Sequence, residues 1–250
     1  MIDIISILLV IFLCYLVLFF ISIYIKDNSI VDIFWGLGFG IIAIMLFFQS
    51  DQYIYQLTTL FLILAWGLRL SSYIFYRKLK KPGEDSRYKE WRNEWKYFYT
   101  QSFFQIYILQ MIIMFIIAIP LFIIFYGEKD FGINIFLIIG TIISLFGLIY
   151  ESIADYQLFK FLKIRKKGEI LKKGLRKFHR YPNYFGEICF WFGISFIGLQ
   201  INIFSLIGFL VIFLLLIFVS GVAMTDNRYK GNSEYEKYKS KTPALFPYIF

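Results

Sequence analysis

Polar residues able to bind a ligand gather between residues 150 and 190, where apolar runs surround them. Glu151 and Asp155 are one helical turn apart, so they lie on the same face of a helix. Two like charges at this spacing repel each other unless a shared partner satisfies both, and a ribose, an amide or a basic group would do so. We therefore interpret the pair as a candidate binding site.

A second candidate site begins at Pro182. Proline is favoured as the first residue of a helix, so the backbone N–H groups of Asn183 and Tyr184 have no partner within that helix. Such a helix start attracts anions, and neighbouring cations strengthen the attraction. The side chains that can carry positive charge just before the proline are Arg176, His179 and Arg180. The pattern predicts a phosphate site, with His179 as a candidate pyrophosphate or ribose contact.

Other familiar motifs are missing from the sequence. Gly36, Gly38 and Gly40 resemble half of a dinucleotide fingerprint, but that fingerprint needs a strand, a tight turn and a helix. Their spacing favours close packing of membrane helices instead. Cys14 and Cys189 lie in separate apolar runs and there is one histidine, which indicates neither a metal site nor a disulfide framework. Without a Walker loop, His-Glu-x-x-His or Gly-x-Ser-x-Gly, the sequence disfavours kinase, zinc-protease and hydrolase functions.

The elements that hold these residues are membrane helices. Hydrophobic residues make up 59% of the 250 residues and charged ones 17%, outside the range of soluble domains. Crossing the hydrocarbon core takes about 20 apolar residues. The stretches that qualify or nearly qualify are about 4–25, 31–49, 53–76, 103–126, 133–151, 184–200 and 202–223. The sequence predicts an all-α, polytopic bundle of about seven transmembrane helices, forming a single integral membrane domain over 1–250.

Basic residues set the expected orientation. Of the 26 lysines and arginines, all but Arg69 and Lys129 lie in four segments. Those segments are 26–30, 77–102, 152–183 and the tail from 224. Since cytoplasmic loops carry the excess of lysine and arginine, we expect the N-terminus outside and the C-terminus in the cytoplasm. This placement accounts for most of the net charge of +9, so nucleic-acid binding is not indicated.

Ionisable and strongly polar residues within the spans fall in the cytoplasmic half. In a bilayer such residues mark a site or a buried pair. Arg69 lies about two turns from the end of its span and calls for a carboxylate, which Asp32 or Glu151 could supply. We infer a polar cavity that opens to the cytosol. Its candidate members are Asp32, Arg69, Tyr73, Gln105, Gln110, Glu151, Asn183, Glu187 and Asp226.

Two loops carry further expectations. Trp91 and Trp95 in the loop 77–102 predict an interfacial helix, because aromatic rings favour the headgroup level. In the same loop Arg87 is either part of a local salt bridge with the neighbouring acids or a phosphate contact. The interleaved basic and apolar residues of 163–173 predict an amphipathic helix lying on anionic lipid.

The motif blocks resemble a known family. Gly174-Leu175-Arg176 followed by His179-Arg180-Tyr181-Pro182-Asn183-Tyr184-Phe185-Gly186-Glu187 is similar to a signature of the steroid 5α-reductase-like membrane proteins, specifically their bacterial-type DUF1295 branch. Agreeing blocks in the same order are Asp32–Gly36, Trp66–Leu70, Gly83–Tyr88, Glu151–Gln157 and Tyr235–Pro247. One departure is Tyr181, which stands where the family commonly has histidine, so carry-over onto His179 is weaker than onto Asn183 and Glu187.

The resemblance implies NADPH bound in the cytosol-facing cavity by the C-terminal half, about 133–250. It assigns the cofactor to the end of the fifth helix, the loop after it, the Asn-Tyr block and the C-terminal tail. The expected cofactor contacts are Glu151, Asp155, Arg176, His179, Arg180, Asn183, Tyr184, Glu187 and Asp226. No metal is expected, because the chain has one histidine and two separated cysteines.

The implied reaction is hydride delivery to the β-carbon of an α,β-unsaturated carbonyl. The substrate would be a steroid-like, isoprenoid or other lipid-soluble molecule entering from the bilayer. By type and depth we expect Tyr73 to be the proton donor, with Asp32 or Arg69 tuning it. The site would face the cytoplasm, in a bacterial inner membrane or one of the ER type.

Two other functions stay open. One is a methyltransferase like the isoprenylcysteine carboxyl methyltransferases, which share part of the Asn-Tyr block. S-adenosylmethionine has no phosphate, so the basic residues at 176–180 disfavour it. The other is a non-enzymatic lipid-binding membrane protein. The sequence leaves the substrate and the oligomeric state open.

Overall fold

The computed structural model describes residues 4–166 and 168–246, and its secondary structure over these residues is helical. The chain divides into two compact units, Met1–Ile133 and Asn134–Phe250. We call them unit 1 and unit 2 and describe each by itself. That the whole chain is one domain with a cofactor-binding half stays a prediction.

Unit 1 contains six helices. Its long helices are joined by short turns, apart from a loop of mixed charge between the third and the fifth. The helices are α1 (Ile4–Ile25), α2 (Ile30–Phe47), α3 (Ile54–Lys80), α4 (Ser86–Glu94), α5 (Phe98–Ile117) and α6 (Ile119–Phe125). The predicted span 103–126 is divided between α5 and α6. The division falls before Pro120, because proline lacks the N–H that would continue the helix.

Unit 2 contains four helices and a short 3₁₀ turn over Gly174–Lys177. The helices are α7 (Ile135–Ile164), α8 (Pro182–Gly198), α9 (Ile203–Arg228) and α10 (Ser233–Lys239). Helix α9 contains a π-helical turn over Leu215–Val219 and is interrupted at Ser220 and Gly221 before its last two turns. This interruption ends the apolar part of α9 and precedes the turn that carries Asp226.

Within the described residues, six helices are long and apolar enough to cross a membrane: α1, α2, α3, α5, α7 and α9. The protein is therefore an all-α, multi-span membrane protein, and its described residues contain six candidate spans where the sequence predicted about seven. Helix α8 has 17 residues, a length of about 26 Å against a core of about 30 Å. Its C-terminal end is set by the turn after Gly198, where Asn202 caps the next helix. The orientation of the termini stays a prediction.

Glycines bring α2 and α3 into backbone contact in unit 1. A Cβ atom on Gly36 would lie 2.4 Å from the carbonyl oxygen of Gly67, and one on Gly67 would lie 2.4 Å from that of Gly36. A Cβ on Gly38 would meet the Met114 side chain at 2.5 Å. Small residues at a crossing allow this approach in membranes. The packing interpretation of the Gly36–Gly40 motif is confirmed.

Glycines also bring α7 and α8 of unit 2 into backbone contact. Gly140 and Gly147 on α7 face Gly193 and Gly186 on α8, and the two glycines of each helix are seven positions apart. A Cβ on Gly147 would lie 2.4 Å from the backbone nitrogen of Phe190, and one on Gly193 would lie 2.5 Å from the carbonyl oxygen of Gly140. The two helices run antiparallel in direct contact. This contact fixes the start of α8 against the last turns of α7.

The amphipathic helix expected over 163–173 is wrong. Helix α7 ends at Ile164, and the described residues from 165 to 173 are not helical. Gly168 has a φ of +86°, which helices do not use, and Glu169 folds back so that its carboxylate accepts the N–H of Lys166 at 2.9 Å. The basic stretch is therefore an irregular loop.

Candidate functional site

Asp32 lies in the first turn of α2 and is bound by the loop that follows α3. Its Oδ2 atom is 2.9 Å from Nη2 of Arg87, and its Oδ1 atom accepts a hydrogen bond of 2.7 Å from the hydroxyl of Tyr88. Arg87 also pairs with Asp85, Nε to Oδ1 at 2.9 Å. The salt-bridge interpretation of Arg87 is confirmed, and Asp32 joins the start of α4 to the start of α2.

A second set of ion pairs fastens the same loop. Glu84 accepts two hydrogen bonds of 2.8 Å from the Arg92 guanidinium and one of 2.9 Å from the backbone N–H of Asn28. Lys78 pairs with Asp27, next to that asparagine. Burial raises the pKa of Asp27, but hydrogen bonds from Lys78 and Ser29 outweigh it, and the net pKa is lowered. The Gly83–Tyr88 block thus fixes the segment after α3 through ion pairs and hydrogen bonds, a role that its sequence did not reveal.

Arg69 and Tyr73 lie one turn apart on α3, and both are half-buried. The Tyr73 ring faces the guanidinium of Arg77, with 5.7 Å from its Cζ to the ring centroid. The expected carboxylate partner of Arg69 stays a prediction, as do the catalytic roles of Arg69, Tyr73 and Asp32. What the structure adds is that the carboxylate of Asp32 is already engaged with Arg87 and Tyr88.

Helix α8 starts where the sequence predicted. Tyr181 is the residue before the helix and Pro182 is its first residue. The first helical hydrogen bond runs from the N–H of Phe185 to the carbonyl of Tyr181, 3.1 Å, so the N–H groups of Asn183 and Tyr184 precede it. The rings of Tyr181 and Tyr184 stack with centroids 5.4 Å apart. The helix start inferred from Pro182 is therefore confirmed, and its binding of an anion stays a prediction.

The two acids of α7 lie beside this helix start. Glu151 is 3% exposed and Asp155 is 6% exposed. A Cβ on Gly186 would lie 2.7 Å from the backbone nitrogen of Glu151, which places Glu151 at the level of Gly186 and of its neighbour Glu187. Because the helices are antiparallel, Asn183, one turn earlier on α8, lies at the level of Asp155. The four predicted cofactor contacts therefore lie at two neighbouring levels of the α7–α8 pair.

Arg180 is buried in an ion pair with Asp226. Its Nη1 atom lies 2.7 Å from Oδ1 of Asp226 and 3.0 Å from the hydroxyl of Tyr235. The hydroxyls of Tyr181 and Tyr235 both donate to the same carboxylate oxygen, and Nζ of Lys239 lies 2.9 Å from the other. One carboxylate thereby joins the segment before α8, the end of α9 and α10. We call these five residues the Asp226 cluster.

The sequence pointed to Arg180 and Asp226 as cofactor contacts but missed Tyr235 and Lys239. The only available signal was the Tyr235–Tyr238 string, which was recognised as a motif without a role. Two tyrosines donate hydrogen bonds to one aspartate here. Sequence spacing could not reveal this, because the tyrosines lie 9 and 45 residues from Asp226.

The C-terminal segment covers the residues before α8. The backbone N–H groups of Arg180 and Tyr181 donate to the carbonyls of Pro243 and Ala244, at 2.9 and 3.0 Å. Nη1 of Arg176 donates to the carbonyl of Arg180 at 2.7 Å. The backbone of the predicted phosphate contacts is therefore hydrogen-bonded both to the C-terminal segment and to the Arg176 side chain.

Some polar atoms at this helix start are buried but unpaired within the described part of the chain. They are Nε of Arg176, Nε of Arg180 and Oδ1 of Asn183. A buried polar atom without a partner is costly, and native structures rarely keep one without a functional or solvent explanation. Two cationic donors and one amide acceptor fit the needs of a phosphate-bearing nucleotide.

His179 is fully buried and lies beside the same helix start. Its Nε2 atom is 2.7 Å from the hydroxyl of Tyr150, and its ring packs edge-on against Phe185 with centroids 5.3 Å apart. Burial lowers the pKa of His179 to about 4; Arg176 acts in the same direction, while a hydrogen bond to the Leu245 backbone opposes it. The imidazole is therefore neutral near pH 7, and the cations of this helix start are Arg176 and Arg180.

The pKa of His179 yields a direct prediction. This is the only histidine in the chain, so a protein labelled at histidine gives one imidazole signal in an NMR titration. We expect a midpoint near pH 4 in the folded protein. A midpoint near 6.5, the value of an exposed imidazole, would contradict the buried placement.

The same shift affects stability. Between pH 6.5 and 4 the unfolded chain binds a proton at His179 that the folded protein does not, so stability falls as the pH falls through this window. The loss amounts to about 3 kcal/mol, because the two pKa values differ by about 2.5 and each pKa unit is worth 1.36 kcal/mol. The variant His179→Gln should lack this part of the pH dependence.

A match to the family described as "Protein of unknown function (DUF1295)" covers residues 18–242. The chain belongs to the DUF1295 family. In this DUF1295 protein, all the candidate site residues, from Asp32 to Asp226, lie within the matched range. Searches of curated proteins and of solved structures returned no match. The comparisons therefore identify the family, and the chemistry must be argued from the site.

Proposed function

We propose that this DUF1295 protein is a membrane-embedded, NADPH-dependent reductase of a C=C bond conjugated to a carbonyl in a steroid-like, isoprenoid or other lipid. The observation that carries the proposal is the start of α8, where buried Nε atoms of Arg176 and Arg180 and Oδ1 of Asn183 lack partners among the described residues. The similarity of this block to the steroid 5α-reductase-like proteins supports the same cofactor.

The groups at this helix start suit the parts of a dinucleotide. The N–H groups of Asn183 and Tyr184 and the two arginines are donors for pyrophosphate oxygens. The carboxylates of Glu151 and Asp155 and the amide oxygen of Asn183 are acceptors for ribose hydroxyls. We propose that Glu187, next to Gly186, adds a further acceptor. NADPH, when bound, supplies the hydride.

In this proposal the Asp226 cluster positions the guanidinium of Arg180. Asp226 fixes one nitrogen of the Arg180 guanidinium and leaves Nε of that arginine for a ligand. His179, held by Tyr150, orients the segment between the two arginines without adding charge. Because these side chains are locked by partners, a bound phosphate loses little affinity to side-chain ordering.

For the proton we propose Tyr73, because a phenol can donate a hydrogen bond to a carbonyl and then transfer its proton. Arg69, one turn earlier on α3, would tune its acidity. Asp32 would act indirectly, since its bonds to Arg87 and Tyr88 hold the segment after α3.

Binding of NADPH by the purified protein in detergent tests the proposal. We expect wild-type protein to bind NADPH, and Asn183→Ala to weaken the affinity roughly tenfold, the cost of one buried hydrogen bond of about 1.4 kcal/mol. The matched control is Asn93→Ala, an exposed asparagine on α4 that should leave the affinity unchanged.

S-adenosylmethionine is measured beside NADPH in the same titration. If only S-adenosylmethionine binds, the methyltransferase function replaces the reductase. If neither binds at millimolar concentration, both enzyme functions fail and the lipid-binding alternative is favoured. An equal loss of NADPH affinity in Asn183→Ala and Asn93→Ala would show that the start of α8 is not part of the binding site.

A further inference from the structure

A cleft of about 280 Å³ opens on the surface of unit 2, and none of the residues that line it belongs to the buried groups described at the start of α8. We call it the lysine cleft because four of its six lining residues are lysines. They are Lys172, Lys177, Lys237, Tyr238, Lys241 and Thr242. Neither the family description nor the proposed reductase site assigns it a role.

The fold itself gathers these lysines from two distant segments. Lys172 and Lys177 flank the 3₁₀ turn after α7, whereas Lys237 and Lys241 belong to α10 and the residues after it. Two contacts join the segments: the Tyr238 hydroxyl donates to the carbonyl of Arg176, and Nζ of Lys172 lies 2.7 Å from Oε1 of Glu234. The cleft is therefore held by tertiary contacts and does not arise from a run of basic sequence.

The charge of the lysine cleft is positive. Of its four lysines, Lys172 has Glu234 as a counter-ion, and that pair is exposed, at 37% and 52% of the two side chains. Lys177, Lys237 and Lys241 are exposed. Like charges around one concave surface reinforce each other's potential and raise the local concentration of anions. A small, highly charged anion would reduce the repulsion between the lysine side chains most.

We propose that the lysine cleft binds a phosphomonoester dianion. Lysine ammonium groups bind phosphate as compact point charges, and the Thr242 hydroxyl offers a neutral donor. The volume admits a phosphate with part of the group that carries it. The inference does not depend on the proposed reductase activity.

Two sources could supply this chemistry. One is a soluble nucleotide that carries a terminal phosphate. The other is a phospholipid whose headgroup is a phosphomonoester, such as phosphatidic acid, since the cleft-bearing segments follow the ends of two candidate spans. Arg165 and Tyr229, the residues directly after α7 and α9, lie 3.5 Å apart, Nη1 to hydroxyl. The two helices therefore end side by side, beyond the apolar part of α9.

Lysine acetylation followed by mass spectrometry tests the inference. The soluble probe is adenosine 2′-monophosphate, with adenosine as its phosphate-free match. The lipid probe is a phosphatidylcholine bilayer with or without phosphatidic acid, into which the protein is reconstituted. We expect either phosphate to slow acetylation of Lys177, Lys237 and Lys241 at least about fivefold, the effect of about 1 kcal/mol for each lysine.

The matched variants are Lys177→Gln/Lys237→Gln and Lys89→Gln/Lys96→Gln, which remove equal charge from exposed positions in unit 2 and unit 1. Protection of Lys241 should be lost in the first and kept in the second. Protection by the nucleotide alone or by phosphatidic acid alone supports the site and identifies its source. Protection by neither, equal protection of Lys89 and Lys96 in the wild type, or protection that survives in the first variant would overturn it.

Discussion

Replacing Asp226 with asparagine should destabilise this DUF1295 protein by about 3 kcal/mol, because removing one member of a buried ion pair leaves the other charge uncompensated. Arg180 and Asp226 side chains are 7% and 14% exposed, so solvent cannot replace the lost carboxylate. The variant also loses the charge-assisted hydrogen bonds that Tyr181 and Tyr235 donate to Asp226. The three segments that meet at the Asp226 cluster should then loosen together.

Thermal unfolding in detergent measures this effect. For a chain of this size, about 3 kcal/mol corresponds to a fall of roughly 6 to 12 °C in the unfolding midpoint. The control is Glu234→Gln, which breaks the exposed pair with Lys172. An exposed pair contributes at most about 1 kcal/mol, so the midpoint should move little. Equal shifts in the two variants would show that the Asp226 cluster does not hold unit 2 together.

Replacing Gly36 with alanine should destabilise unit 1 by a similar amount. The new methyl group would lie 2.4 Å from the carbonyl oxygen of Gly67 and 2.8 Å from Oγ of Ser71, so α2 and α3 would have to separate. Overpacking of this kind costs about 1 to 3 kcal/mol, and contact with rigid backbone places it at the upper end.

Gly40→Ala on the same helix is the matched control. Its methyl group would meet only the end of the Leu64 side chain, at 3.4 Å, which is close to ordinary contact. Alanine also favours the helix by up to about 1 kcal/mol relative to glycine. We therefore expect Gly40→Ala to be neutral or stabilising. If Gly36→Ala were equally well tolerated, the α2–α3 contact would be looser than described.

Features governed by local chemistry could be predicted from the sequence. The apolar runs gave the membrane helices, and Pro182 gave the start of α8, because proline fixes its own backbone and lacks an N–H. The Gly36–Gly40 spacing gave a close helix contact. Glu151 and Asp155 were placed on one buried face of α7, since helix periodicity decides which residues share a face.

Features that depend on distant partners could not be predicted. The binding of Asp32 by Arg87 and Tyr88 could not be predicted, because both partners lie on α4, a short helix whose docking no periodicity encodes. The pairing of Arg180 with Pro243 across the tail is a backbone contact without a side-chain signature. The prediction of a helix over 163–173 failed although the basic and apolar pattern favoured one, because Gly168 adopts a positive φ that ends helical structure.

The central claim is that the chain transfers a hydride from NADPH to a carbon of a lipid. NADPH carrying deuterium at the transferable position, incubated with membranes that contain the protein, tests it through mass spectrometry of the lipids. We predict one deuterium in a saturated carbonyl lipid, lost in Tyr73→Phe and retained in Tyr76→Phe, a tyrosine on the same helix. Binding of NADPH with no deuterium in any lipid would contradict the account.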